Sequence, residues 1–182
     1  MRKYLTFAGI VLLTFILSSF TTNELNEPAT GIVAEGLNVG NKAPDLAFNN
    51  PDGNSIKLSS LQGKLVLIDF WASWCSPCRR ENPNIVATYK QYKDQDFVNG
   101  KGFTIYSVSL DKSKASWTNA IKTDDLTWEY HVSDLKGWNS EPASVYSIRS
   151  IPSNLLIDAN GVIIAKNLRG PYLAQALEKL VK

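Results

Sequence analysis

The sequence predicts an α/β domain, a mixed central sheet flanked by helices, with a β-hairpin in front of it and one inserted βα unit. Three observations carry this. The apolar run Leu65 to Phe70 has the length and the Val, Leu and Ile content of a fully buried strand, and it leads directly into a polar, charged segment that starts like a helix. Phe103 to Leu110, FTIYSVSL, has the β-branched and aromatic content of a second buried strand. Two turn signals, Asn50-Pro51-Asp52-Gly53 and Asp158-Ala159-Asn160-Gly161, each separate short strand-like pieces and mark hairpins.

The 182 residues suffice for one domain and an N-terminal extension, and 44% apolar residues with five tryptophans supply a core. Residues 1–22 read as a signal peptide or N-terminal membrane anchor: Arg2 and Lys3 precede an apolar stretch from Tyr4 to Leu17 and on to Phe20. Fourteen to seventeen such residues span about 25 Å at most, short of a hydrocarbon core of about 30 Å, which favours cleavage. Ser19-Phe20-Thr21 is only a poor cleavage site, and a lipid-modified cysteine is excluded because none is present there. Export to the periplasm or the outer face of the cytoplasmic membrane is therefore expected. Of 19 Lys and Arg, two lie in this segment, while all 17 Asp and Glu follow it, so the exported part has a net charge of zero. A basic nucleic-acid surface has no support.

Residues 23–38, polar and small with Pro28, Gly31 and Gly36, read as a flexible linker, and residues 39–182 as the folded domain. The first hairpin joins Asp45–Phe48 to Ser55–Leu58, and Gly63-Lys64 leads into the central strand. The helix after that strand is expected to run to about Asp94, with Pro83 kinking it, and Asn99-Gly100-Lys101-Gly102 to form a loop. Asp111 or Ser113 can cap a helix ending near Thr123, with Trp117 and Ile121 on its inner face. A short strand, Trp128–Val132, contains the lone histidine, His131, read as structural or exposed. A short helix follows at Glu141–Ile148, with Trp138 at the surface, then the strand Leu155–Ile157 and its hairpin partner Val162–Lys166. Pro171 opens a terminal amphipathic helix to Val181 with Leu173, Leu177 and Leu180 inward.

Both cysteines lie in Cys75-Ser76-Pro77-Cys78, where a buried strand meets a helix start. Free N–H groups and the positive end of the helix dipole stabilise a thiolate, so Cys75 is the candidate nucleophile, with an exposed sulfur of lowered pKa. Cys78, one turn along, can resolve the mixed disulfide that Cys75 forms with a client. A zinc site needs about four ligands, and His131 is the only histidine, so no metal is expected. A purely structural Cys75–Cys78 bond would close too short a loop to remove much chain entropy. Asp69, the one charge inside the strand, is expected to be buried with a raised pKa and to exchange protons near neutral pH, or else to be a paired structural carboxylate. Glu81, three residues past Cys78, could manage its proton or be a solvated acid. Arg79 and Arg80 could favour the thiolate, but a solvated basic helix face is the better reading.

The string Asp69-Phe70-Trp71-Ala72-x-Trp74-Cys75-x-Pro77-Cys78 resembles the active-site strand and turn of thioredoxin, and Pro83 stands where thioredoxins carry a helix proline. The longer pattern Cys75-x-Pro77-Cys78-x-x-Glu81-x-Pro83 resembles the extracytoplasmic thiol:disulfide interchange proteins of the TlpA/ResA group, over about residues 39–182. The resemblance implies a thioredoxin-like fold, and Ile151-Pro152 as a cis-proline loop facing the cysteines, its Ile151 backbone presented to an extended client. Glu81 holds the place of that group's active-site carboxylate, whereas the place of Asp69 is often uncharged there; this chain has both. Trp74, Pro77, Ile151 and Pro152 are the expected client-binding residues.

These observations point to a monomeric protein-disulfide reductase acting on disulfide-bearing client proteins. With no flavin or nicotinamide motif, it carries no cofactor and needs a membrane thiol reductase as electron donor. Apocytochrome reduction during cytochrome c maturation is one client task the resemblance suggests. Two alternatives remain: a peroxiredoxin-like thiol peroxidase, which would carry Thr where Ala72 stands, and a non-catalytic thioredoxin-fold peptide-binding module.

Overall fold

The computed structural model describes residues 33–182; the expected export segment and most of the expected linker lie outside them. A two-stranded antiparallel hairpin, β1 (Ala47–Asn49) and β2 (Ser55–Lys57), comes first. Asn50 builds its turn, accepting from the N–H groups of Asp52 and Asn54 at 3.0 and 2.8 Å. Then follow β3 (Leu65–Trp71), helix α1 (Ser76–Tyr92), a ribbon of β4 (Asp96–Phe97) and β5 (Gly100–Lys101), and β6 (Phe103–Ser109). After α2 (Lys114–Thr123) come β7 (Tyr130–Val132), α3 (Glu141–Val145), β8 (Ser153–Ile157), β9 (Ile163–Lys166) and α4 (Pro171–Glu178).

The main sheet has five strands in the order β7-β6-β3-β8-β9, with β6 parallel to β3 and β7 parallel to β6, while β8 and β9 run antiparallel. This is the mixed sheet flanked by helices that the sequence predicts. Every residue of β3 and of β6 is buried, which explains why both read as unbroken rather than alternating runs. The crossovers β3-α1-β6 and β6-α2-β7 join parallel neighbours and step the same way across the sheet, so the right-handed rule for such units sets α1 and α2 on one face. An ion pair between Arg79 of α1 and Asp124 at the end of α2 bridges the two helices. On the other flank, Tyr106 and Tyr146 donate to the carbonyls of Ile56 (2.9 Å) and Pro44 (2.6 Å), fastening the hairpin and the chain before it to the core.

The structure departs from expectation at several ends. The stretch expected as a plain loop is a β4–β5 ribbon with Val98-Asn99 as its turn and Gly100-Lys101 as its second strand, because Phe97 is wholly buried and pairs across to Val181. That pairing, with Val98 N–H donating to Leu180 O at 2.8 Å, draws the chain out of α4 by Glu178 and leaves Leu180 half-buried. Helix α1 passes through Pro83 but stops at Tyr92, because Lys93 turns back to pair with Phe103. The cap of α2 is Ser113, whose hydroxyl accepts from Ser116 N–H at 3.2 Å; Asp111 is used elsewhere. Backbone bonds also reach into the stretch expected as linker, Gly36 N–H to Lys42 O and Lys42 N–H to Ala34 O, both 3.0 Å.

His131 is structural. Its ring stacks on Trp128 at 5.3 Å between centroids, and Nε2 lies 3.2 Å from Leu126 O. Trp128 stands outside the strand and turns inward to donate to the Ser107 hydroxyl at 3.0 Å. Desolvation lowers the His131 pKa to about 4, although two backbone hydrogen bonds oppose it. The unfolded chain therefore takes up a proton at about 6.5 that the folded chain refuses until about 4, and stability from this group is lost as pH falls through that window. Urea unfolding at about pH 7 and about pH 4.5 should show the wild type losing up to about 3 kcal/mol relative to His131→Phe. An unchanged difference would remove His131 as an acid-labile element.

Candidate active site

β3 delivers the site. It ends at Trp71, Ala72 closes a tight turn by accepting Cys75 N–H at 3.1 Å, and Cys75 becomes the N-cap of α1. Extended backbone at Cys75 turns its Sγ back over the first turn, where it accepts the Cys78 N–H at 3.2 Å. Ser76 and Pro77 occupy the first helical positions, where a proline costs no hydrogen bond. Cys75 and Cys78 are joined as a disulfide, their Cα atoms 5.3 Å apart. The expected exposed sulfur is not seen: Cys75 keeps 4% of its surface and Cys78 1%.

Asp69 lies on β3 between Ser107 of β6 and Asn154 of β8 and is 3% exposed. Burial, and secondarily the negative charge of Glu81, raise its pKa to about 7. Glu81 is half-buried on α1, and its Oε1 accepts the Gly170 N–H at 2.6 Å just before α4. Glu81 is thus neither a free solvated acid nor simply aimed at Cys78: it ties α1 to the loop before α4. Arg169 in that loop donates to the carbonyl of Pro152.

The Ile151–Pro152 peptide is cis. Because Ser153 pairs with Phe70, this bond sits at the same end of the sheet as the turn leading to Cys75. Pro152 is buried and Ile151 half-buried. Trp74 and Pro77 are exposed beside the disulfide, and the Trp74 ring packs against Trp138 at 6.2 Å between centroids. Trp74, Cys75, Pro77, Cys78 and the Ile151–Pro152 peptide thus lie about the C-terminal end of β3, with Asp69 two residues inside the strand and Glu81 on α1.

Sequence reasoning missed the groups that hold the loop before Cys75. Asp111, 1% exposed, accepts from Ser73 N–H (2.9 Å), the Ser73 hydroxyl and the Ser109 hydroxyl. On the other side Arg79 donates to Ser73 O at 3.1 Å, and its guanidinium grips Asp124, which also accepts from Asn82 Nδ2 at 2.7 Å. Arg79 is hence a structural clamp rather than part of a solvated basic face, because Asp124 meets it from α2. Nothing local marks Asp111, Asp124 or Arg169 for these roles, since Ser73, Arg79 and Pro152, which they hold, lie 38, 45 and 17 residues away.

The sequence profile of the AhpC/TSA family matches residues 39–166. The chain belongs to the AhpC/TSA family. Within it the chain is similar to the thiol-disulfide oxidoreductase ResA of Bacillus thuringiensis subsp. konkukian, 30% identical over 81% of this chain and 79% of that protein. It is similar also to the thioredoxin-like protein YneN of Bacillus subtilis, 35% identical over 70% of each. Among solved structures, the thioredoxin domain of a thiol-disulfide oxidoreductase from Bacteroides vulgatus superposes with a TM-score of 0.71 at 38% identity, covering 81% of this chain and all of that one. A thiol-disulfide oxidoreductase from Bacteroides fragilis gives 0.68 at 33%, covering 76% and 98%. This AhpC/TSA member has the thioredoxin-like fold and is a thiol:disulfide oxidoreductase.

The electrostatics of Asp69 can be tested by stability alone. The unfolded carboxyl ionises near 3.8, the folded one near 7, so the folded state holds a proton across that interval and stability from this group falls as pH rises through it. Asp69→Asn removes the cost of the buried charge. Thermal melts should show the variant gaining on the wild type between about pH 4 and about pH 8, by on the order of a few kcal/mol. A gain equal at both ends would mean that Asp69 is ionised throughout.

Proposed function

We propose that this thiol:disulfide oxidoreductase is an extracytoplasmic reductant of protein disulfides. The observation that carries this reading is the Cys75–Cys78 pair at the head of α1, with Cys75 Sγ receiving a helix N–H and a buried acid, Asp69, on the strand that leads to it. In the reduced protein the Cys75 thiolate attacks a client sulfur, forming a mixed disulfide and releasing the other client sulfur, which takes up a proton. Asp69, with a pKa near 7, accepts the proton of Cys78. The Cys78 thiolate then attacks Cys75 Sγ, the client leaves as a dithiol, and two electrons have moved from the protein pair to the client.

The other residues have supporting roles. The Ile151 backbone beside cis-Pro152 receives an extended client strand, with Trp74 and Pro77 flanking it. Glu81 acts by raising the Asp69 pKa and by holding Gly170. A membrane thiol reductase re-reduces the pair, and residues 1–22 export the chain or hold it at the outer face of the cytoplasmic membrane. The chain acts as a monomer, and apocytochrome cysteines awaiting haem are the client class suggested by the resemblance of the Cys75-to-Pro83 pattern to the TlpA/ResA group.

The AhpC/TSA match favours one rival, a thiol peroxidase. Against it, Ala72 stands where peroxiredoxins carry threonine, and the partner of Cys75 is three residues away in the same helix turn.

Insulin reduction driven by dithiothreitol should be accelerated by the wild type and not by Cys75→Ala, while Cys78→Ala should accumulate a mixed disulfide. Asp69→Asn should reduce turnover about a hundredfold and lose the rise in rate through pH 7. Cys75-independent turnover, or peroxide consumption in its place, would overturn the reading.

A further inference from the structure

Beside the disulfide, on the side of Trp74, lies a cleft of about 560 Å³ that the reaction scheme does not use. Its apolar walls are the indoles of Trp74 and Trp138, 52% and 50% exposed and packed on each other. Large aromatic surface left in the open on a protein of this size is unusual and marks a place where something docks. The charged side chains lining the cleft are Lys112, Lys136 and Asp111. Asp111 is out of play, because it is buried and its carboxylate already accepts three hydrogen bonds from Ser73 and Ser109. The accessible charge of the cleft is therefore positive.

The lysines are set in place. Gly137, at φ +61°, is buried, and a Cβ built there would come within 2.7 Å of Lys112 Cε and 3.1 Å of its Cγ. The absent side chain at 137 leaves a slot in which the aliphatic stem of Lys112 lies, with its ammonium at the cleft. The loop carrying Lys136 and Trp138 is braced by Asp134, whose two carboxylate oxygens accept from Lys136 N–H (3.2 Å) and Glu141 N–H (2.8 Å). Among the described residues Asp134 forms no ion pair with Lys112 or Lys136.

We propose that this cleft selects the client: it takes the client segment flanking the disulfide when that segment carries an aromatic or large apolar residue followed by acidic residues. The apolar residue packs on the exposed faces of the Trp74–Trp138 pair, and the acids face Lys112 and Lys136. Ser73 and Trp74, which line the cleft, immediately precede Cys75 in the chain, so a client segment seated there lies next to the residue that carries the attacking sulfur. This rests on the reductase reading above and adds the chemistry of the polypeptide that the site prefers.

The test uses the full chain and two synthetic peptides. They share one intramolecular disulfide and one tryptophan beside it, and differ only in paired aspartates or paired lysines next to that tryptophan. The wild type should reduce the acidic peptide with kcat/KM about tenfold above the basic one, a preference on the scale of two exposed charge contacts, and one that shrinks with added salt. Lys112→Glu with Lys136→Glu should erase or invert the ratio, and the Gln pair should bring it near one. Trp138→Ala should raise KM for the acidic peptide. Equal use of both peptides by the wild type, or a ratio that survives charge reversal, overturns the inference while leaving the reductase standing. Reduction of neither peptide would overturn the reductase reading itself.

Discussion

A strand covered on both faces and paired along both edges is the constraint on which this protein depends. β3 pairs over its full length with β6 and over five residues with β8. From Val66 to Phe70 it has a strand partner on either side, and its apolar side chains can be given up entirely to the core. Two consequences follow at the site. A charge placed on such a strand cannot reach water, so Asp69 holds its proton to near pH 7. And the chain leaving the strand has a defined origin, so the turn to Cys75 and the first residues of β8, with Pro152 before them, arrive at the same end of the sheet.

Rigidity near that end is supplied by polar groups rather than by more apolar packing. Ser73 is held by Asp111 on one side and by Arg79, itself gripped by Asp124, on the other. The cis-proline loop is tied by its carbonyl to Arg169, and the neighbouring Gly170 to Glu81. A dithiol pair that must open to a client and close again benefits from such an arrangement. Each of these hydrogen bonds involves a charged group, is directional and is strong enough to set a loop. Trp74 and Trp138 remain free to meet a client.

The reach of the sequence can be judged residue by residue. β3, β6 and both hairpins were legible because unbroken apolar runs and Asn-Pro-Asp-Gly or Asp-Ala-Asn-Gly turns act within a few neighbours. The ends of α1 and α4 were not, since each is cut short by a backbone partner from elsewhere, Phe103 for the one and the Phe97–Val98 ribbon for the other. Arg79 and Asp111 were misread for the same reason. On a helix face an arginine looks solvated, and before a helix an aspartate looks like a cap, until a partner from a distant element claims it.

What the amino-acid order determined by itself was the chemistry: a sulfur pair at a strand-to-helix junction, an acid within the strand, and a proline before β8. These depend on covalent neighbours and on local backbone preference, which no tertiary partner is needed to define. What only the tertiary structure decided was the setting of that chemistry: which acid is buried and which holds a loop, which arginine is spoken for, and that Lys112, Lys136 and two tryptophans share one cleft. Those outcomes turn on groups separated by tens of residues meeting across the sheet and its helices, and pairing at such distances leaves no periodic trace in the chain.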